Sequence, residues 1–181
     1  MRIRKRWYRK KAPQLLKKYF TPRIIEDFEN LGLIDDLPGP IESSVYLYGE
    51  TGTGKTLKAC QYLMAQELDN YMKIQFGKCH FVSVPHFFNQ LKNQFNDGSA
   101  NFDLIAELCT VDFLVLDEIG IKKVNDWAIE TLYYIINHRY EWKLKTVITS
   151  NYSLQELSEK LGDDRITDRI QRSYKVVKKK L

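Results

Sequence analysis

Residues 49–56 read Gly49, Glu50, Thr51, Gly52, Thr53, Gly54, Lys55 and Thr56, three glycines set before a lysine and a hydroxyl. Glycines at this spacing let consecutive backbone N–H groups curl round an anion without Cβ clashes. A helix starting here and running on through Leu57 points its positive end at the same anion. Lys55 would then neutralise the β- and γ-phosphates of a nucleotide, and the Thr56 hydroxyl would coordinate Mg²⁺. The pattern predicts a phosphate-binding loop for ATP and Mg²⁺, provided that a strand precedes it and a helix follows.

Three further groups have the chemistry to complete such a site. Asp117 and Glu118 end the apolar run 113–116. Ligands of open α/β sheets sit beyond the carboxyl ends of the strands. Asp117 would hold the metal, directly or through water, and Glu118 would orient and activate the attacking water. Asn151 follows Thr149 and Ser150 at the end of another β-branched run, where it would hold that water or sense the γ-phosphate; asparagine is also common at turns. Arg165 and Arg169 lie four residues apart, on one face of an expected helix. One role for them is an arginine supplied to a neighbouring subunit's γ-phosphate. The plainer role is pairing with Asp163, Asp164 or Asp168.

These groups need a scaffold that brings chain ends together, and the hydrophobic pattern supplies one. The short apolar run 45–48 reads as a buried strand before the loop. Leu57, Cys60, Met64 and Leu68 follow at helical spacing. Strand signals recur at 79–84, 113–116, 146–149 and 175–178. Helical patterns separate them, and Pro85 and the Ser153/Glu156 capping pair mark two helix starts. Asn101 is a plausible cap, and 96–101 a loop. The alternation predicts an α/β fold with a doubly wound parallel sheet. The chain divides on this reading into a basic N-terminal arm and linker, 1–44, and a core, 45–181. Within the arm, residues 15–20 suggest one short amphipathic turn before Pro22, and 26–44 read as a connector.

Charge is distributed unevenly. Ten Lys or Arg and no acid fall within residues 1–25, whereas the remainder carries 18 basic and 23 acidic residues. A second basic run closes the sequence at Lys175 and 178–180. Such clusters suit nucleic acid or an acidic partner, or simply a solvated arm. Cys60, Cys79 and Cys109 are too widely spaced for a zinc site or a disulfide framework, as expected of a reducing, cytoplasmic compartment. No apolar run reaches the roughly 20 residues of a membrane helix.

The order of these motifs, together with "LDEIG" at 116–120, "IINHRYEWKLKTVITSN" at 135–151 and "LGDDRITDRI" at 161–170, resembles the AAA+ ATPases of the DnaC/DnaI helicase-loader and IstB group. The resemblance covers roughly residues 40–178. It implies a P-loop NTPase core without a helical lid domain, ATP hydrolysis in a homo-oligomer with shared sites, and an arginine finger acting in trans. Arg169 matches the finger, Arg165 is its companion, and Arg172 is a candidate ATP-sensing arginine. The implied partners are a DnaB-type replicative helicase and single-stranded DNA. The alternative within the group is an IstB-like transposition helper on duplex DNA. Some forty residues precede the core, fewer than a separate helicase-binding domain needs, so a minimal phage or mobile-element form in a bacterial host is expected. Outside the group stand a small-molecule P-loop kinase, which leaves the late arginine pair unexplained, and a module that uses ATP only as a switch.

Overall fold

A computed structural model of the chain describes residues 2–73, 77–96, 102–120 and 126–180. Residues 97–101, including the expected cap Asn101, lie outside them. Five strands form one parallel sheet: β1 (Ser44–Tyr48), β2 (Cys79–Ser83), β3 (Phe113–Ile119), β4 (Lys145–Ser150) and β5 (Tyr174–Lys178), in the spatial order β2-β3-β4-β1-β5. Parallel neighbours require crossovers, and helices provide them. These are α3 (Lys55–Met72), α4 (Val84–Asn96), α5 (Phe102–Thr110), α6 (Asp126–Glu141), α7 (Leu154–Leu161) and α8 (Arg165–Ser173). The doubly wound α/β fold expected from the sequence is thus the observed one.

Alternation along the strands divides the core in two. Val45, Leu47, Phe113, Val115 and Val147 face α3, whose Cys60, Leu63 and Met64 are fully buried against them. Tyr46, Leu114, Leu116 and Ile148 face the opposite layer, built from α4 to α8. A side-chain period of two makes this division automatic once the strands are placed. Ser153 caps α7 as its sequence suggests: its hydroxyl accepts from the Glu156 N–H, and Glu156 reaches back to the Ser153 N–H at 2.7 Å.

The N-terminal segment differs from the single short turn expected of it. Arg2–Tyr19 form one helix, α1, and Pro22–Asn30 a second, α2, within the stretch read as arm and connector. Leu16 and Phe28 are 1% and 0% exposed, and with Ala12 and Phe20 they join the same cluster as Val45 and Met64. The Phe20 ring meets Phe81 edge-on at 5.5 Å, and the Tyr19 hydroxyl donates to Glu67 of α3. Ala12, Leu16 and Phe20 stand at the four-residue spacing of one helix face, and the dense charge around them hid it.

On the opposite face a fully buried arginine ties layers together. Arg139 of α6 is 1% exposed and donates to Thr146 Oγ1, to the carbonyls of Leu108 and Val111, and to that of Lys145. Burial pulls its guanidinium down to about 10, still charged at neutral pH. It joins the end of α5 to the start of β4, and so helps to fix the strand that carries Thr149.

Candidate nucleotide site

Beyond the carboxyl ends of β1, β3 and β4 lies a cavity of about 330 Å³. Its walls are residues 51, 52 and 54–57 of the glycine loop, Glu118, and residues 149–151. The loop joins β1 to α3, the strand–loop–helix context that an anion cradle needs. Gly52 and Gly54 have φ values of 85° and 74°, in the region where glycine is favoured. Lys55 Nζ folds back to donate to the carbonyls of Gly49 at 2.9 Å and Glu50 at 2.7 Å. Thr53 Oγ1 also donates to Glu50 O, closing the loop on itself. Burial lowers the Lys55 ammonium from its usual range, while Asp117 and Glu118 oppose that shift.

Gly49 is constrained by something other than phosphate. A Cβ there would lie 2.2 Å from the carbonyl oxygen of Lys179, and its φ is 147°. The Lys179 N–H donates to Tyr48 O at 2.7 Å, so the chain after β5 crosses the first residue of the loop. Only a glycine fits beneath it.

The acidic pair is separated by backbone geometry. Asp117 continues the alternation of Phe113 and Val115 and so faces α3. There Thr56 Oγ1, in the first turn of α3, donates to its carboxylate at 3.0 and 3.2 Å. Thr149 Oγ1 donates to the same carboxylate at 2.7 Å. Asp117 is 5% exposed, and burial raises its pKa against the two hydroxyl donors. Between Leu116 and Ile119 the register with β4 shifts: three steps on β3 span two on β4, from Ile148 to Ser150. This bulge holds Glu118 at φ 68°, a left-handed conformation unusual for a non-glycine residue. The Glu118 N–H donates to Thr149 Oγ1 at 2.9 Å instead of to the ladder, and its side chain is exposed towards the cavity. Thr149 therefore serves both acids at once.

Asn151 reaches the cavity from the turn after β4. That turn is fixed by the Tyr46 hydroxyl, which donates to Tyr152 O at 2.7 Å, and by Ser150 Oγ, which donates to Ile119 O. Arg165, Arg169 and Arg172 do not line the cavity; they lie on α8, packed on α6. Arg165 pairs with Asp163 and Glu130, and its guanidinium lies 4.4 Å from the Tyr133 ring centroid. Arg169 donates to Asn137 Oδ1 and pairs with Asp168 at 2.6 Å, and Arg172 pairs with the same aspartate. Local pairing, the plainer of the two readings, describes their state in a single chain.

Two side chains in the cavity wall escaped the sequence reading. Arg23 and Asp27, both on α2, line it together with the glycine loop. Pro22, a first-turn proline, was the signal that a helix begins there.

A glycine loop between strand and helix, a buried aspartate on its first-turn threonine, and a five-strand parallel sheet in this order define a P-loop ATPase fold of the AAA+ type; among the described residues no helical lid follows β5. Residues 16–179 match the family described as IstB-like ATP binding protein, and the chain belongs to that family of ATP-binding proteins. It is 26% identical over 138 residues to the replicative helicase loader DnaC of Escherichia coli K12, covering 76% of this chain and 53% of that protein. It is 30% identical over 114 residues to the replicative helicase loader DnaI of Bacillus subtilis, covering 62% of this chain and 34% of that one. The crystal structure of the DnaC helicase loader superposes with a TM-score of 0.64 at 25% identity, over 76% of this chain and 78% of that one. The chain thus spans about half of the E. coli relative and a third of the B. subtilis one.

Proposed function

We propose that this chain is a helicase loader whose ATP hydrolysis, slow in isolation, is completed by a neighbouring copy. ATP binds with its phosphates in the residue 49–56 loop. The donors present fit a magnesium ion: the Thr56 hydroxyl and the Asp117 carboxylate are hard oxygen ligands already 3.0 Å apart. Bound there, Mg²⁺ would offset negative charge on the β- and γ-phosphates. Lys55, now occupied by the Gly49 and Glu50 carbonyls, turns to the phosphates as they enter. Glu118 accepts a proton from the attacking water, and Asn151 holds that water from the β4 side. The bulge at Glu118 keeps the base carboxylate off the metal aspartate, so each acid has one task.

The observation that carries the assembly reading is the place of the arginines. The cavity contains Lys55 and an exposed Arg23 but none of the α8 guanidiniums, so cis chemistry lacks the cation that phosphoryl transfer gains from an arginine finger. Arg169 in trans, with Arg165 beside it and Arg172 as a sensor, supplies it when a second copy docks. Support for the loader reading comes from the relatives, both named replicative helicase loaders. On this reading the partners are a DnaB-type replicative helicase and single-stranded DNA, the latter met by the nine basic residues of 1–20. Affinity capture of a DnaB-type helicase with and without ATP tests this. Capture that needs ATP and survives nuclease treatment supports it. No capture in either state, with intact ATP binding, overturns it.

A second reading, a transposition helper on duplex DNA, is favoured by the family match over residues 16–179. ATP-dependent filaments on duplex but not on single-stranded DNA would decide for it.

A further inference from the structure

Arg23 and Asp27 stand one helical turn apart on α2, with opposite charges, and both face the cavity. Arg23 is exposed and Asp27 half-buried. Opposite charges at this spacing stabilise a helix by pairing. Among the described residues no ion pair joins these two, and neither side chain has another polar partner. Two unpaired charges of opposite sign in one wall are available to a ligand that carries both an anion and hydroxyl donors.

The cavity has a direction. Glu118 and Asn151 mark the end at which the terminal phosphate reacts. Ile24 and Ile25 of α2 and Leu57 of α3 pack against the same buried cluster, α2 touches α3, and Arg23 and Asp27 share the cavity wall with Leu57 in the first turn of α3. A triphosphate held by the loop therefore carries its nucleoside past α2. A carboxylate there repels phosphate and accepts from O–H donors, and the ribose offers two of them side by side. The guanidinium suits the phosphate nearest the sugar.

We propose that α2 is the nucleoside-reading wall of this site: Asp27 accepts hydrogen bonds from the ribose hydroxyls, and Arg23 neutralises the phosphate next to the sugar. This rests on the ATP site described above and extends it to a segment outside the expected core. It also makes the N-terminal helices part of the nucleotide site.

Binding of ATP, 2′,3′-dideoxy-ATP and inorganic tripolyphosphate to the full chain tests the assignment by calorimetry. Asp27→Asn should weaken ATP about tenfold, the loss of one hydrogen bond to a charged group. It should leave dideoxy-ATP unchanged and tripolyphosphate bound at least as tightly. Arg23→Gln should weaken all three by about fivefold. ATP affinity unchanged in Asp27→Asn, or all three ligands weakened alike by it, overturns the ribose contact; unchanged affinities in Arg23→Gln overturn the phosphate contact. Lys55→Ala keeps the two levels apart. Lost binding of both ATP and tripolyphosphate leaves the loop assignment standing whatever α2 does, and retained binding removes that assignment and this one together.

Discussion

The Asp117 centre and the α8 arginine surface are both made of charged side chains and carboxylates, yet they are built in opposite ways. Asp117 is buried, and its partners come from α3 and β4, so several elements must be in place before it has a hydrogen bond. Arg165, Arg169 and Arg172 are held by acids a few residues away or one helix over, and all three pairs are accessible to water. Exposed pairs of this kind contribute only about 0–1 kcal/mol and exchange readily. One region is fixed by the fold; the other is free to change partners. Pre-set acids and re-pairable arginines are what a shared site requires, since the part donated to a neighbour must first let go of its own chain.

The sharpest way to break this comparison is Arg169→Ala. If the arginine acts on a neighbour, turnover should fall by about 10³-fold or more with ATP affinity unchanged. Mixing it with Lys55→Ala protein should restore part of the rate, because one copy then has the loop and the other the arginine. A linear sum of the two separate rates would place Arg169 outside the reaction. Glu118→Gln comes next: steady-state turnover should drop by about 10²-fold or more while labelled ATP stays bound. Unimpaired turnover would remove Glu118 as the base.

Gly49→Ala tests how firmly the buried side is locked. With its Cβ aimed at Lys179 O and a φ of 147°, the variant should lose about 3 kcal/mol in urea unfolding and bind ATP poorly. Thr149→Val removes one donor to Asp117 and the acceptor of the Glu118 N–H, for about 2 kcal/mol. The Thr149 hydroxyl favours the ionised carboxylate, so its loss raises the Asp117 pKa further. The acid limb of magnesium-dependent ATP binding should accordingly move to higher pH; an unmoved limb would mean that Asp117 does not govern it. Ser153→Ala, which removes the cap of α7 just before the arginine helix, should cost only about 1 kcal/mol, a melting shift of about 3 °C, and leave turnover intact.

What was legible in the sequence follows from how local each signal is. The loop is one contiguous string flanked by a strand and a helix, and Asp117 sits at the end of the most apolar run, so both follow from the order of residues. The separation of Asp117 from Glu118 does not, because it depends on a bulge set by β4, some thirty residues later. Thr149 was visible only as a strand residue; its hydrogen bond to Asp117 spans 32 positions. Arg23 and Asp27 were hidden for another reason. The dense positive charge of 1–25 masks an apolar stripe of four buried residues between Ala12 and Phe28, and that stripe helps to seat α2 beside the loop.

The crossing of Lys179 over Gly49 has a consequence in time. β1 is made early, yet its outer neighbour β5 is not made until some 130 residues later. A nascent chain therefore displays its glycine loop on an unpaired strand edge until β5 has been made, and contacts so distant in sequence form late. Competence to hold nucleotide should arrive abruptly, when residues 174–179 emerge and close over the loop. Pulse-labelled chains released just short of that stretch are the place to watch it happen.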